Sequence, residues 1–82
     1  MRVKLKLFAS LRPCLPAATK GIVDLEVPDG TTPEDLIREH NLPREQVHLI
    51  LVNGLYVAPA DAAQRPLEPG DEVAMWPPVA GG

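Results

Sequence analysis

One cysteine, one tryptophan, one tyrosine and one phenylalanine are spread over 82 residues. A single thiol, Cys14, closes neither an internal disulfide nor a thiolate zinc cage. Three aromatic rings are too few to stack bases, and a net charge of -3 has the wrong sign for a phosphate backbone. Nucleic acid is therefore not an expected partner. No apolar run is long enough to span a bilayer, so no membrane role is expected either. The opening MRVKLKLF alternates and forms no apolar block, unlike a secretory leader. The expected location is cytoplasmic. A glycine-rich phosphate loop is also missing, because VPDG and EPGD read as turns. No metal-ligand set stands out. Cys14 with His40 or His48 is a conceivable nucleophile and base, but Cys14 lies in a proline-flanked loop and His40 ends a helix. An inert thiol and ordinary histidines are the simpler reading. The carboxylates of PEDLIRE read as a solvated helix face.

What is present is a small globular composition, with 45% hydrophobic and 23% charged residues. One domain is expected over residues 1–76, followed by an extended tail over 77–82. Charge is segregated along the chain. Arg2, Lys4, Lys6, Arg12 and Lys20 carry the first twenty residues, whereas Asp24, Glu26, Asp29, Glu34, Asp35 and Glu39 follow against Arg38 alone. Two solvated surfaces of opposite sign are the plain explanation. The sharper one is that one surface steers a charged protein partner.

RVKLKLF alternates with a period of two and predicts a strand, with Val3, Leu5 and Leu7 on one face. ASLRPCLPAATK has no period and reads as a loop. GIVDLEV alternates again, with Val23, Leu25 and Val27 inward. In PDGTTPEDLIREHNLP a helix is marked at both ends. Thr32 is the N-cap, Pro33 the first helical residue, and Asp35 the acid of a capping box. Asn41 is the left-handed stop, and Leu42 is placed to fold back on Ile37. Leu36, Ile37 and His40 are expected on the core side. Asn53-Gly54 between apolar runs predicts a hairpin, and Pro69-Gly70 turns into a last strand ending at Trp76. The order predicts one mixed sheet with a single helix on one face.

The sequence ends in WPPVAGG. Pro77 and Pro78 lack backbone donors and fix φ, so they stop strand pairing and hold the chain extended. Val79 and Ala80 are small. Gly81 and Gly82 have no side chains and fit a slot that any Cβ would block. The reactive group of such a tip is the carboxylate of Gly82, which becomes an electrophile once it is adenylated.

GDEVAMWPPVAGG resembles the end of the small subunit of molybdopterin synthase. So do LVNG, LEPGDEV, the VKLKLFASLR start and the TTPEDLI cap, and the likeness runs through the whole chain. The family is that of the MoaD/ThiS sulfur carriers, in the ubiquitin-like β-grasp superfamily. The resemblance implies an α+β fold with a mixed five-stranded sheet in the order 2-1-5-3-4 and one main helix. It implies that Gly82 is adenylated by a ubiquitin-activating-type enzyme using ATP, with no cofactor bound permanently. The carboxylate then becomes a thiocarboxylate, with sulfur from a donor such as a cysteine desulfurase or rhodanese. Catalysis is expected on partners, so the chain itself is not expected to be an enzyme. The implied acceptor is the large synthase subunit, whose pocket takes residues 77–82. Other acceptors serve thiazole, cysteine or tungsten-cofactor synthesis, and a ubiquitin-like modifier forming isopeptide bonds is a different reading of the same tail. In the implied sheet order, Phe8 and Trp76 fall at one sheet end and on the face away from the helix. With Ala74 they make an expected docking face, on which Trp76 is expected to be exposed. No family role attaches to Cys14.

Overall fold

A computed structural model of the chain describes residues 1–78. The expected threading positions Val79, Ala80 and Gly81 and the expected adenylation site Gly82 lie outside the described residues. β1 (Arg2–Leu7), β2 (Ile22–Glu26), β3 (Leu49–Val52), β4 (Leu55–Val57) and β5 (Glu72–Trp76) form one sheet in the order β2-β1-β5-β3-β4. β1 and β5 are parallel and the other pairs antiparallel. The fold is the mixed β-grasp sheet that the resemblance implied.

The period of two in each strand explains the sheet's two faces. Val3, Leu5 and Leu7 of β1, Ile50 and Val52 of β3, and Val73 and Met75 of β5 are buried in a single core with Leu36 and Ile37 of the helix. Cross-strand register confirms that these strand residues share a face, since Leu5 is opposite Val73 and Val73 opposite Val52.

The helix α1 (Pro33–Glu39) begins and ends where its caps dictate. Thr32 Oγ1 accepts from the Asp35 amide at 3.2 Å, and Asp35 returns the contact to the Thr32 amide at 3.0 Å. That backbone bond from Thr32 is the main reason the Asp35 carboxyl lies below its ordinary pKa of 3.8; the Arg38 guanidinium adds to it. The cap's contribution is therefore complete above that value and is lost as pH falls through the lower folded one. At the other end Asn41 takes φ 53°, and the amides of Asn41 and Leu42 bond back to the Arg38 and Ile37 carbonyls. This is a Schellman closure, and Leu42 is buried by it. His40 is half-buried at the cap.

Two expectations are corrected here. Residues 9–20 are not an open loop but two 3-10 helices, Ala9–Cys14 and Ala17–Thr19. They carry Leu11 and Leu15 into the core, and short 3-10 turns leave no period for a sequence pattern to show. The acids of α1 are not one solvated face. Glu34 is nearly buried against Arg44, and Asp35 is occupied by the cap and Arg38.

The charge segregation has a geometric cause. β1 and β2 run antiparallel, so Arg2 lies opposite Glu26 and Lys4 opposite Asp24. Arg2 Nε reaches Glu26 Oε1 at 2.9 Å. Much of what reads as polarity along the chain is cross-strand neutralisation in the sheet.

Candidate functional site: the open sheet face and the tail stem

The face of the sheet opposite α1 has no helix over it. Register places Ile22, Lys6, Ala74, Leu51 and Tyr56 in one row across it, from β2 to β4. The next row toward the end of β5 pairs Leu49 with Trp76. Phe8 lies just beyond β1, and its ring stacks on Trp76 with centroids 4.2 Å apart and planes within 4°. The Phe8 amide donates to the Met75 carbonyl at 3.2 Å, and the His48 amide donates to the Trp76 carbonyl at 2.9 Å. Trp76 is thus held from both sides at the last residue of the strand.

The expected docking residues are therefore together at one end of one face. Their exposure differs from expectation. Trp76 and Phe8 are half-buried, because each ring covers one side of the other. Ala74 is on the face but only 9% exposed, between the Lys6 and Leu51 positions, so it offers almost no surface to a partner. Ile22 (47% exposed) and Tyr56 (60%) widen the apolar surface. Both went unremarked in the sequence, although Ile22 shares the parity of Asp24 and Glu26, which already marked that side as outward. Leu49 and Leu51 are half-buried between the two groups.

Toward the other end the face turns polar. Lys6 pairs with Glu72, and the ammonium holds the Glu72 carboxyl below the usual carboxylate range. Beneath lies a clamp between two turns that the sequence pattern marks separately. Asn53 takes φ 53° in the β3–β4 turn. Its Nδ2 donates to Asp71 Oδ1 at 2.9 Å, and its Oδ1 accepts from the Glu72 amide at 2.9 Å. Asp71 Oδ2 accepts from the Glu68 amide at 2.8 Å. LVNG and LEPGDEV are therefore partners in one network.

The stem leaves at the apolar end. Pro77 follows the parity of Val73 and Met75 and is buried, whereas Pro78 is exposed. With no N–H on either residue, the ladder stops after Trp76. Among the described residues, no three His, Cys, Asp or Glu side chains are grouped to hold a metal ion. Cys14 is a free thiol packed beside the core. No helix among them is long and apolar enough to cross a membrane.

The ThiS family model matches residues 5–82. The chain belongs to the ThiS family. Solved structures agree. A Pyrococcus furiosus protein assigned as molybdopterin converting factor subunit 1 is 33% identical over 95% of this chain and 98% of its own, with a TM-score of 0.68. Small archaeal modifier protein 1 of Haloferax volcanii is 27% identical over 95% and 98%, with a TM-score of 0.67. A Helicobacter pylori complex of subunits 1 and 2 of molybdopterin-converting factor contains a chain that matches over 100% of both, at 20% identity and a TM-score of 0.63, a likeness of fold. A comparison with curated proteins gave no match. The ThiS fold thus places this chain among MoaD/ThiS-type sulfur carriers and ubiquitin-like modifiers.

Proposed function

We propose that this ThiS-family chain is a sulfur carrier, most similar in role to the small subunit of molybdopterin synthase. The observation that carries the proposal is the stem: pairing stops at Trp76, beside an apolar face with no helix over it, and the next residues lead toward Gly81 and Gly82. In this reading the Gly82 carboxylate attacks the α-phosphorus of ATP on an activating enzyme and releases pyrophosphate. The outer sulfur of a persulfide on a desulfurase or rhodanese then displaces AMP to give an acyl disulfide, and a thiol reductant cleaves its S–S bond, releasing the thiocarboxylate and leaving a disulfide on the donor. The thiocarboxylate sulfur bonds to an acceptor carbon, here of the dithiolene precursor held by a large synthase subunit, and water then cleaves the acyl–sulfur bond, leaving sulfur on the acceptor and a carboxylate on Gly82. Catalytic groups belong to the partners, in the cytoplasm. Residues 77–82 thread the partner, while Phe8, Trp76 and their neighbours dock.

The same activated glycine serves conjugation to lysine, and the likeness to a small archaeal modifier supports that second reading. Intact mass after reaction with activating enzyme, ATP and sulfur donor separates the two. Exchange of oxygen for sulfur at Gly82 is expected; a protein-sized adduct on lysine with no sulfur exchange replaces the first reading with the second. Deleting Gly82 should abolish adenylation and leave the melting curve unchanged. Normal adenylation of the deletion variant would falsify the assignment of Gly82.

A further inference from the structure

Of the five bases in residues 1–20, two are paired on the sheet, Arg2 with Glu26 and Lys6 with Glu72, and Lys4 lies opposite Asp24. Arg12 and Lys20 have no carboxylate within ion-pair distance among the described residues. Both line one surface cleft of about 520 Å³, with Pro13, Leu15, Pro16 and Ala17 between them. Leu15 is buried and forms a floor, while Arg12 and Lys20 are exposed.

Left-handed backbone lies at or beside each cation, at Lys20 itself and at Gly21 next to Arg12. Lys20 sits in the left-handed region at φ 55°, where glycine or asparagine is the usual choice. Its turn is pinned by the Thr19 hydroxyl, which donates to the Pro16 carbonyl at 2.6 Å and accepts from the Gly21 amide at 3.3 Å. Arg12 lies along Gly21. A Cβ on Gly21 would stand 3.0 Å from Arg12 Cγ and 2.7 Å from the Leu7 carbonyl oxygen, so only glycine lets the arginine stem lie down there. A lysine kept where glycine is easier points from strain to use.

We propose that this cleft docks an acidic segment of a partner protein. The segment presents carboxylates to Arg12 and Lys20 and an aliphatic side chain to the exposed Pro13, Pro16 and Ala17. Charge complementarity selects the acid, and the apolar floor selects a peptide over a free anion, which gains nothing from prolines and leucine. No aromatic ring lines the cleft to stack a base. The cleft shares no residue with the Phe8–Trp76 face, so the site stands whether the tail delivers sulfur or forms isopeptides.

The test is an amide-shift titration of the 82-residue protein with an acetylated pentapeptide alternating glutamate and leucine. Controls are its glutamine counterpart and sodium phosphate. Saturable shifts confined to residues 12–21 are expected with the glutamate peptide alone. Arg12→Glu and Lys20→Gly should each weaken binding about tenfold. Lys20→Gly relieves the left-handed strain, so its melting temperature should not fall, which separates lost recognition from lost folding. The proposal is overturned by no saturable shift in the cleft, or by equal binding of the glutamine peptide. It is equally overturned by the same shifts with phosphate alone, or by wild-type affinity in Lys20→Gly.

Discussion

β5 begins against Asp71, whose carboxylate accepts from the Asn53 side-chain Nδ2 and the Glu68 backbone N–H, and ends at Trp76, whose ring rests on Phe8. At the first end every contact is directional and internal. At the second, the side chains are apolar, half-covered, and followed by prolines with no donors. The polar end gains by being closed, since the buried Asp71 carboxylate is costly to leave unpaired. The apolar end leaves surface that a partner can still bury. One five-residue strand thus joins a polar clamp at one end to an apolar, proline-stopped edge at the other.

Substitutions should keep those two duties apart. Asp71→Ala removes the acceptor for both Asn53 and Glu68, and should cost about 2 kcal/mol of folding stability. Below the melting range, the surviving folded protein should still be adenylated at the normal rate. A denaturant melt with a parallel adenylation assay reads both, and a proportionate fall in adenylation would merge the two ends into one unit. Trp76→Ala should do the reverse. It should weaken binding to the activating enzyme or the large synthase subunit by somewhat more than 1 kcal/mol, as an interface anchor does. Titration calorimetry against either partner measures this, and unchanged affinity for both removes Trp76 from the interface. The smallest effect belongs to Pro78→Gly. Pro78 is exposed, so the change frees the stem without opening the core, whereas Pro77 is buried and its replacement would mix packing with stiffness. A loss of a few tenths of a kcal/mol in partner affinity is expected from the added chain freedom. Equal affinity would leave Pro78 with no mechanical part in threading.

Much of this architecture is legible without coordinates because it is local. Val3, Leu5 and Leu7 declare their strand by alternation, and Thr32, Asp35 and Asn41 declare both ends of α1. The apolar character of both parities in β3 shows that one set has to face away from the helix, and the register shows that it is Leu49 and Leu51. What escapes the sequence is long-range or aperiodic. Leu11 and Leu15 enter the core from 3-10 turns that have no repeat. Glu34 looks solvated until Arg44 is brought to it. Asn53 and Asp71 look like two turn residues until the sheet sets β3 beside β5. The stacking of Phe8 on Trp76 could be placed at the right end and face, but the mutual covering of the two rings needs their orientations. The tip, Val79 to Gly82, is legible only as chemistry.

The pairing of Lys4 with Glu72 has a further consequence. The two central neighbours of the sheet come from opposite regions of the sequence, and β3 also needs β5 as its partner. Such a ladder forms late in folding, after a long loop has closed. A polypeptide interrupted before Glu72 leaves β1 and β3 each with an unpaired edge and the core without Val73 and Met75. It is then exposed to proteases. Since the strand that completes the domain is also the last one, a fragment that lacks Glu72–Trp76 fails to become a stable domain.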